Sequence, residues 1–158
     1  MKNPILLVCR WYVMRRDRNG EPTSLLHLGK VRSATVLVDT SGGDEEAVRI
    51  ARAIRQYFDY QGIPVRILSP LKTDLDLLGR IKERVKGGRE EDLFISLVSS
   101  PENFTAEYEA RCSKARFKVG CCSLPGHVYD LVVAAPEQGE ASQAAAFAAI
   151  KDYLNKIR

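Results

Sequence analysis

The spacing of apolar residues divides the chain from residue 33 onward into strands that alternate with helices. The short apolar runs are rich in β-branched residues and too apolar for a strand with one face in water, which is typical of strands covered on both faces. The segments between them repeat apolar residues every three to four positions, the spacing of a helix with one buried face. The predicted strands span residues 34–39, 65–69, 93–99, 117–122 and 130–135.

Signals at the helix boundaries support this division. Gly62 stands where a C-terminal glycine ends a helix over 44–61. Thr73 with Asp76 resembles a capping box and predicts the start of a second helix over 73–85. The two remaining helices of this part of the chain are predicted over 103–114 and 141–157.

This alternation predicts a three-layer α/β sandwich with a mostly parallel, Rossmann-like five-stranded sheet. The link between the fourth and fifth strands is short, residues 123–129 only. A parallel crossover needs about a dozen residues or more, so we expect these two strands to form an antiparallel hairpin at one edge of the sheet. A chain of 158 residues fits one domain, which we assign to residues 33–158, preceded by a basic helical segment over 1–32.

The N-terminal segment carries the net positive charge of the protein. Residues 1–32 contain seven basic and two acidic residues, whereas residues 33–158 contain 17 basic and 18 acidic ones. Residues 5–18 mix apolar side chains with arginines, which predicts a helix with an apolar face and a basic end. Positive charge concentrated in this way can bind nucleic acid or an anionic surface.

Three interpretations of this helix are open. It packs its apolar face on the sheet or on an oligomer partner, it lies on an anionic membrane with Trp11 and Tyr12 at the headgroup level, or it binds RNA or DNA phosphates through its arginines. The leading functional prediction is a non-catalytic α/β binding domain that acts through this helix. The candidate partner-binding residues are Arg10, Trp11, Arg15, Arg16 and Arg18.

The alternative is a small enzyme or a nucleotide- or phosphate-binding protein that uses a crevice at the edge of the sheet. In open α/β sheets, ligands bind outside the carboxyl ends of the strands, where the strand order reverses. With the order 2-1-3-4-5, this point lies between the first and third strands, and both loops there lead into helix N-termini, which favour anions. Neither loop matches a phosphate-binding fingerprint, and helix capping by Ser41, Asp44, Ser100 or Asn103 explains the same polar residues. The candidate crevice residues are Asp39, Thr40, Ser41, Gly42, Gly43, Ser99, Ser100 and Asn103.

Signals for catalysis and metal binding are weak. Cys121, Cys122 and His127 offer three groups on one segment, short of the four or so ligands of a zinc site, so we expect structural thiols and no cofactor. His27 has no evident partner, and we expect a surface or packing histidine. The sequence contains no nucleophile elbow, no zincin motif and no pair of catalytic acids, which leans against an enzyme.

Composition narrows the class of protein further. Apolar residues make up 45% of the chain and charged residues 28%, as in globular proteins, and no apolar run approaches the ~20 residues of a membrane span. The four cysteines form no C-x-x-C pair, and Arg10 interrupts the short apolar run that could begin a signal peptide. We therefore expect a reducing, cytoplasmic location with free thiols, at the membrane periphery if the helix binds lipid.

The chain contains the stretch Ser-Lys-Ala-Arg-Phe-Lys-Val-Gly over 113–120, and Tyr-Asp-Leu-Val-Val follows over 129–133. This pattern resembles an uncharacterised bacterial family of short α/β proteins, a domain of unknown function, in which a basic N-terminal helix also precedes the first strand. Residues 26–39 are similar to the family's segment leading into that strand. The resemblance implies the α/β fold and assigns no activity to any residue. A more distant similarity, to one Rossmann-like half of sugar-nucleotide glycosyltransferases, likewise implies no activity here.

Overall fold

The computed structural model describes residues 3–18, 23–40, 43–82, 91–126, 128–133 and 142–157. It contains one sheet, whose strands are β1 (Ala34–Leu37), β2 (Val65–Leu68), β3 (Leu93–Ser96), β4 (Phe117–Gly120) and β5 (Leu131–Val132). The described α-helices are α1 (Pro4–Asp17), α2 (Asp44–Gln61), α3 (Phe104–Cys112) and α4 (Ser142–Lys156). Short 3-10 helices span Leu28–Lys30 and Lys72–Asp74. None of the described helices has both the length and the apolar character needed to cross a bilayer.

All pairings in the sheet are parallel, and the strand order is β2-β1-β3-β4-β5. The strand β1 lies between β2 and β3, with Ala34 opposite Val65 on one side and Leu93 on the other. Every residue of β1, β3 and β4 is buried, as expected for strands covered on both faces. These observations confirm the three-layer α/β sandwich, its Rossmann-like topology and the order 2-1-3-4-5.

Two apolar cores lie on opposite faces of the sheet. The first joins α2 and α4 to the sheet and contains Phe58 of α2 and Val36 of β1, both fully buried. The second contains Leu37 and Phe94 from the strands and Ala110 from α3. Consecutive residues such as Val36 and Leu37 therefore enter different cores, because successive side chains of a strand point to opposite faces.

The helix predicted over 73–85 is wrong for the described residues 75–82. These residues form a tight turn, closed by an antiparallel bridge between Leu75 and Ile81. Residues 83–85 lie outside the described ranges. The spacing of apolar residues in this segment is that of a helix, but its backbone hydrogen bonds are those of a turn and a bridge.

Asp76 explains why this segment turns. Its carboxylate accepts hydrogen bonds from the backbone N–H groups of Leu78 and Arg80, each at 2.9 Å, and from the Arg80 Nε at 2.7 Å. Aspartate side chains that bond nearby backbone groups in this way offer the chain an alternative to a helix. Gly79 completes the turn at φ +97°, a conformation that favours glycine.

The antiparallel hairpin predicted for the last two strands is also wrong. The strand β5 runs parallel to β4, with Val119 opposite Leu131. Both strands are shorter than predicted, so residues 121–130 remain for the crossover, and the described part of this connection contains no helix. Val128 and Tyr129 of this loop are buried in the second core. They cover the sheet there, where a crossover helix would otherwise pack.

Candidate functional site

The basic N-terminal segment forms α1, which confirms the helix predicted over 5–18. Asn3 caps its start, because the Asn3 side chain accepts a hydrogen bond from the Ile5 N–H at 3.0 Å, and Pro4 occupies the first helical position. The helix packs against α3, and of its own residues only Val13 is buried. Leu6 and Met14 are half-buried beside it, so a few apolar contacts and several polar ones attach α1 to the body.

Arg10 attaches α1 to the body of the protein. Its Nε donates to the carbonyl oxygen of Leu78 at 2.7 Å, and its Cζ lies 4.5 Å from the ring centroid of Phe104. A Cβ placed on Gly79 would lie 2.9 Å from the Arg10 Nη2, so this glycine leaves the room that the guanidinium occupies. The turn formed around Asp76 therefore offers α1 both a hydrogen-bond acceptor and space.

Asp17, the only acid of α1, makes the second polar attachment. Its Oδ2 accepts a hydrogen bond from the hydroxyl of Tyr108 in α3, and the Arg80 Nη1 lies 3.8 Å away. Arg16 donates from Nε to the Asp17 Oδ1 at 2.8 Å, and this bond is the main reason that the pKa of Asp17 lies below its usual value. Burial, followed by the bond to Asp17, raises the pKa of Tyr108.

An open groove with a volume of about 330 Å³ runs between α1 and α3. Four of its lining residues are arginines and one is an acid, so the groove is strongly positive. Two aromatic rings also line it. The full lining consists of Arg10, Trp11, Met14, Arg15, Arg18, Phe104, Glu107 and Arg111.

The four arginines of the groove differ in how firmly they are held. The Arg111 Nε donates to the Glu107 Oε2 at 2.7 Å and its Nη2 to the carbonyl oxygen of Pro125 at 2.8 Å, so it is fixed much as Arg10 is. Arg15 and Arg18 are exposed, and the Arg15 Cζ lies 5.4 Å from the Trp11 ring centroid. The exposed arginines are therefore the ones available to a partner.

The structure brings four of the five predicted partner-binding residues to the groove. Arg16 does not line it, because its guanidinium pairs with Asp17 and lies 5.8 Å from the ring centroid of Tyr12. Sequence reasoning missed the contribution of α3, which adds Phe104, Glu107 and Arg111 to the groove. These residues are three and four positions apart in sequence, and this helical spacing places them on one face of α3.

The surface of α1 that meets solvent is largely apolar. We call the following five exposed residues the outer face: Ile5, Leu7, Val8, Trp11 and Tyr12. A surface helix normally turns its apolar side inward and its charged side toward water. In α1 the predicted apolar face is absent, because apolar and charged side chains are mixed around the helix: Val13 is buried, whereas Arg15 and Arg16 are exposed together with the large apolar residues. The charges of Arg10 and Asp17 are bound by the body.

The predicted crevice at the carboxyl ends of β1 and β3 is a cavity of about 100 Å³. Asp39, Thr40 and Asn103 line it, whereas Ser99 and Ser100 are exposed and are not part of its lining. The Thr40 hydroxyl donates to the carbonyl oxygen of Pro70 at 3.1 Å. The crevice is thus small and its threonine is already bound within the protein.

The loop residues before α2 and α3 act as helix caps where the structure describes them. Gly43 is the N-cap of α2 in place of Asp44, and Ser41 and Gly42 lie outside the described residues. Asn103 caps α3, since its side chain accepts a hydrogen bond from the Ala106 N–H at 3.0 Å. Helix capping by Asn103 is therefore confirmed.

Gln143 of α4 binds the chain just beyond β1 and was missed by sequence reasoning. Its Oε1 accepts from the Asp39 N–H at 2.9 Å, and its Nε2 donates to the Asp39 carbonyl oxygen at 2.7 Å and to the Glu46 Oε1 at 3.1 Å. The side-chain amide thus satisfies both backbone groups of Asp39, as a neighbouring strand would.

Cys121, His27 and His127 were among the cysteine and histidine residues of interest in the sequence. Cys121 is buried in the first core, and burial raises its pKa to about 12, in keeping with a structural thiol. Among the residues described, no cluster of histidine, cysteine and acid could hold a metal ion, and His127 lies outside them. His27 is exposed, as expected for a surface histidine, and its Nδ1 accepts a local hydrogen bond from the Gly29 N–H at 3.0 Å, a partner that was not evident from the sequence.

Lys118 in β4 is a buried basic residue that sequence reasoning also missed. Its side chain is almost completely buried, and burial lowers the pKa of the amine. Its backbone N–H donates to the Asp130 Oδ2 at 2.9 Å, and its carbonyl oxygen accepts from the Asp130 N–H at 2.8 Å. Lys118 lines neither the groove nor the crevice. Lys118 lies within a strand that the sequence predicts to be covered on both faces, and this position already indicates a buried lysine.

The fold and the candidate site together define a Rossmann-like α/β domain that carries a helix with exposed apolar side chains beside an arginine-rich groove. In comparisons with known proteins, no family model matches the chain, and neither does a curated protein or a solved structure. The family resemblance stated for residues 113–120 therefore stays a prediction.

Proposed function

We propose that this protein is a non-catalytic binding domain whose contact surface is α1 together with the groove between α1 and α3. The observation that carries the proposal is the position of Arg15 and Arg18, which are exposed at a groove lined by Trp11 and Phe104. The partner is anionic, because the groove concentrates positive charge while residues 33–158 are close to neutral.

Arginine suits such a surface for reasons of geometry. The guanidinium stays charged at all ordinary pH values and binds carboxylate or phosphate oxygens through two parallel N–H groups. Arg10 and Arg111 already donate to carbonyl oxygens of the protein, so they contribute a fixed positive field. Arg15 and Arg18 are exposed and supply direct contacts to the partner.

The crevice gives less support to the alternative function, a small enzyme or phosphate-binding protein. Its volume of about 100 Å³ is well below the roughly 300–1,000 Å³ of most ligand pockets. Thr40, Asn103 and the backbone of Asp39 also have partners within the protein. This alternative stays a prediction. A rise in melting temperature with one nucleotide or sugar nucleotide, kept when Arg15 and Arg18 are replaced, would favour it over our proposal.

The proposal is tested by salt elution of the full chain from heparin. We expect the double variant Arg15→Gln/Arg18→Gln to elute at lower salt than the wild type, because each arginine that contacts a polyanion displaces a counterion. The matched control is Arg49→Gln/Arg52→Gln on α2, which removes the same charge from two other exposed positions. All these side chains are exposed, so both variants should keep the wild-type melting temperature. Equal shifts in elution would show that only net charge matters and would contradict the proposal.

A further inference from the structure

We infer that the anionic partner of α1 is a membrane surface, on which the outer face of the helix lies. This inference rests on the proposed function, since it uses the same helix and the same exposed arginines. The observation behind it is the exposure of large apolar side chains on α1 next to exposed arginines. Ile5 is 73% exposed, Val8 65% and Trp11 61%, whereas Arg10 and Asp17 are bound to the body.

The apolar side chains of the outer face are placed to enter one apolar phase together. Ile5, Val8 and Tyr12 follow one another at steps of three and four residues, which puts them on one side of the helix. Trp11 stands beside them. At a membrane surface, exposed aliphatic side chains such as these enter the acyl region, and aromatic ones lie at the headgroup level.

The charges of α1 favour lipid over a second copy of the chain packed through the same face. Asp17 is the only acid of the helix, and it is bound by Tyr108 and Arg16. The outer face therefore carries no carboxylate, and Arg15 and Arg18 stand near its C-terminal end. A second copy would bring the same arginines and no acid to meet them. Anionic headgroups supply that missing negative charge.

The same face is a poor match for RNA. Proteins that bind single-stranded nucleic acid combine positive charge with aromatic rings on which bases stack. The aliphatic side chains of Ile5 and Val8 offer no such stacking surface, yet they are among the most exposed apolar residues of the helix. RNA would use the arginines and leave these apolar residues in water, so it does not account for their exposure.

The first experiment uses Trp11, the only tryptophan of the chain, as its reporter. The full chain is titrated with vesicles of phosphatidylcholine containing phosphatidylglycerol and, in parallel, with vesicles of phosphatidylcholine alone. We expect a blue shift of the emission and co-sedimentation with the anionic vesicles, and weaker binding when salt is added or the anionic lipid is left out. Unchanged emission and no co-sedimentation with the anionic vesicles would overturn the inference.

The second experiment tests the outer face directly. The variant Ile5→Ser/Val8→Ser should bind anionic vesicles at least about tenfold more weakly, because it removes apolar surface that would enter the membrane. The matched control is Leu25→Ser/Val48→Ser, which alters two exposed apolar residues outside α1 and outside the turn around Asp76, and it should bind as the wild type does. Replacing Arg15 and Arg18 should cost roughly fivefold for each arginine. Equal binding by the outer-face variant and its control would overturn the inference.

Heparin and a uridine oligonucleotide separate failure of this inference from failure of the proposed function. If the inference holds, Ile5→Ser/Val8→Ser loses vesicle binding and keeps heparin elution, because its arginines are intact. Heparin binding that depends on Arg15 and Arg18 without vesicle binding overturns the inference and leaves the proposed function standing. Oligonucleotide binding that quenches Trp11, without vesicle binding, overturns the inference in favour of RNA. Loss of both vesicle binding and arginine-dependent heparin binding overturns both.

Discussion

The substitution Gly120→Ala should be one of the most damaging single-methyl changes in the protein. The ring of Tyr129 lies directly over Gly120 in β4, and a Cβ there would be 2.3 Å from the Tyr129 Cε2 and 2.5 Å from its Cδ2 and Cζ. Carbon atoms prefer separations of about 3.5–4.0 Å, so the ring would have to move by more than about an ångström. The ring is buried in the second core.

The expected cost follows from this geometry. Overpacking a well-filled core costs about 1–3 kcal/mol, and displacing a whole buried ring places this substitution in the upper part of that range. Replacing glycine by alanine at an ordinary backbone conformation returns about 0.4–1 kcal/mol by restricting the unfolded chain. We expect Gly120→Ala to lower the free energy of unfolding by about 2 kcal/mol, equivalent to a fall of about 4–8 °C in the melting temperature.

A double-mutant cycle with Tyr129→Val isolates the contact. Valine lacks the ring atoms that meet the new methyl group, so Gly120→Ala should cost nothing, or should stabilise slightly, in that background. Urea unfolding of the wild type, both single variants and the double variant gives a coupling energy, which we expect to be about 2 kcal/mol. The reasoning is refuted if Gly120→Ala destabilises both backgrounds equally, or if it leaves the protein with Tyr129 unchanged in stability.

Three further predictions concern stability and the attachment of α1. Tyr108→Phe removes the hydrogen bond to Asp17 and should cost about 1 kcal/mol, with faster amide exchange in α1, whereas the exposed control Tyr153→Phe should change neither. Asp76→Ala removes three hydrogen bonds from the turn that holds α1 and should cost about 1–2 kcal/mol in urea unfolding. The buried Cys121 thiol stays protonated in the native state while the unfolded thiol ionises, so stability should fall as pH rises from 9 toward about 12, by about 1.4 kcal/mol per unit. The variant Cys121→Ala should lose less stability than the wild type over the same urea titrations at alkaline pH.

The sequence predicted the parts of the fold that depend on local periodicity. The helix over 44–61 has its predicted bounds, because the spacing of apolar residues is a property of neighbouring positions. The strand order is also the predicted one, and it follows from the alternation of strands with helices along the chain. The turn around Asp76 was missed because the apolar spacing there is also that of a helix, and the competing side-chain bonds decide the outcome. The parallel pairing of β5 was missed because a parallel crossover normally needs about a dozen residues or more. Here Val128 and Tyr129 of the loop over 121–130 cover the core themselves, so a shorter connection is sufficient.

The candidate site was predictable only on the side that belongs to one helix. Helical geometry alone brings Trp11, Arg15 and Arg18 to the same side of α1. The other wall of the groove comes from α3, and nothing in the sequence says that these two helices are neighbours. Gln143 binds Asp39 across 104 residues of sequence, so only the folded chain reveals that contact.

Different residues of α1 contribute to the stability of the protein and to the proposed binding. The body holds the helix through Arg10 and Asp17, whose hydrogen bonds go to Leu78 and Tyr108. The outer face contributes little to that attachment, because its side chains are exposed, and fold stability therefore does not account for five large apolar residues there. Substitutions on the outer face should then change binding at constant stability. Substitutions at Arg10 or Asp17 should change both, since a helix that leaves the body also loses its place beside the groove.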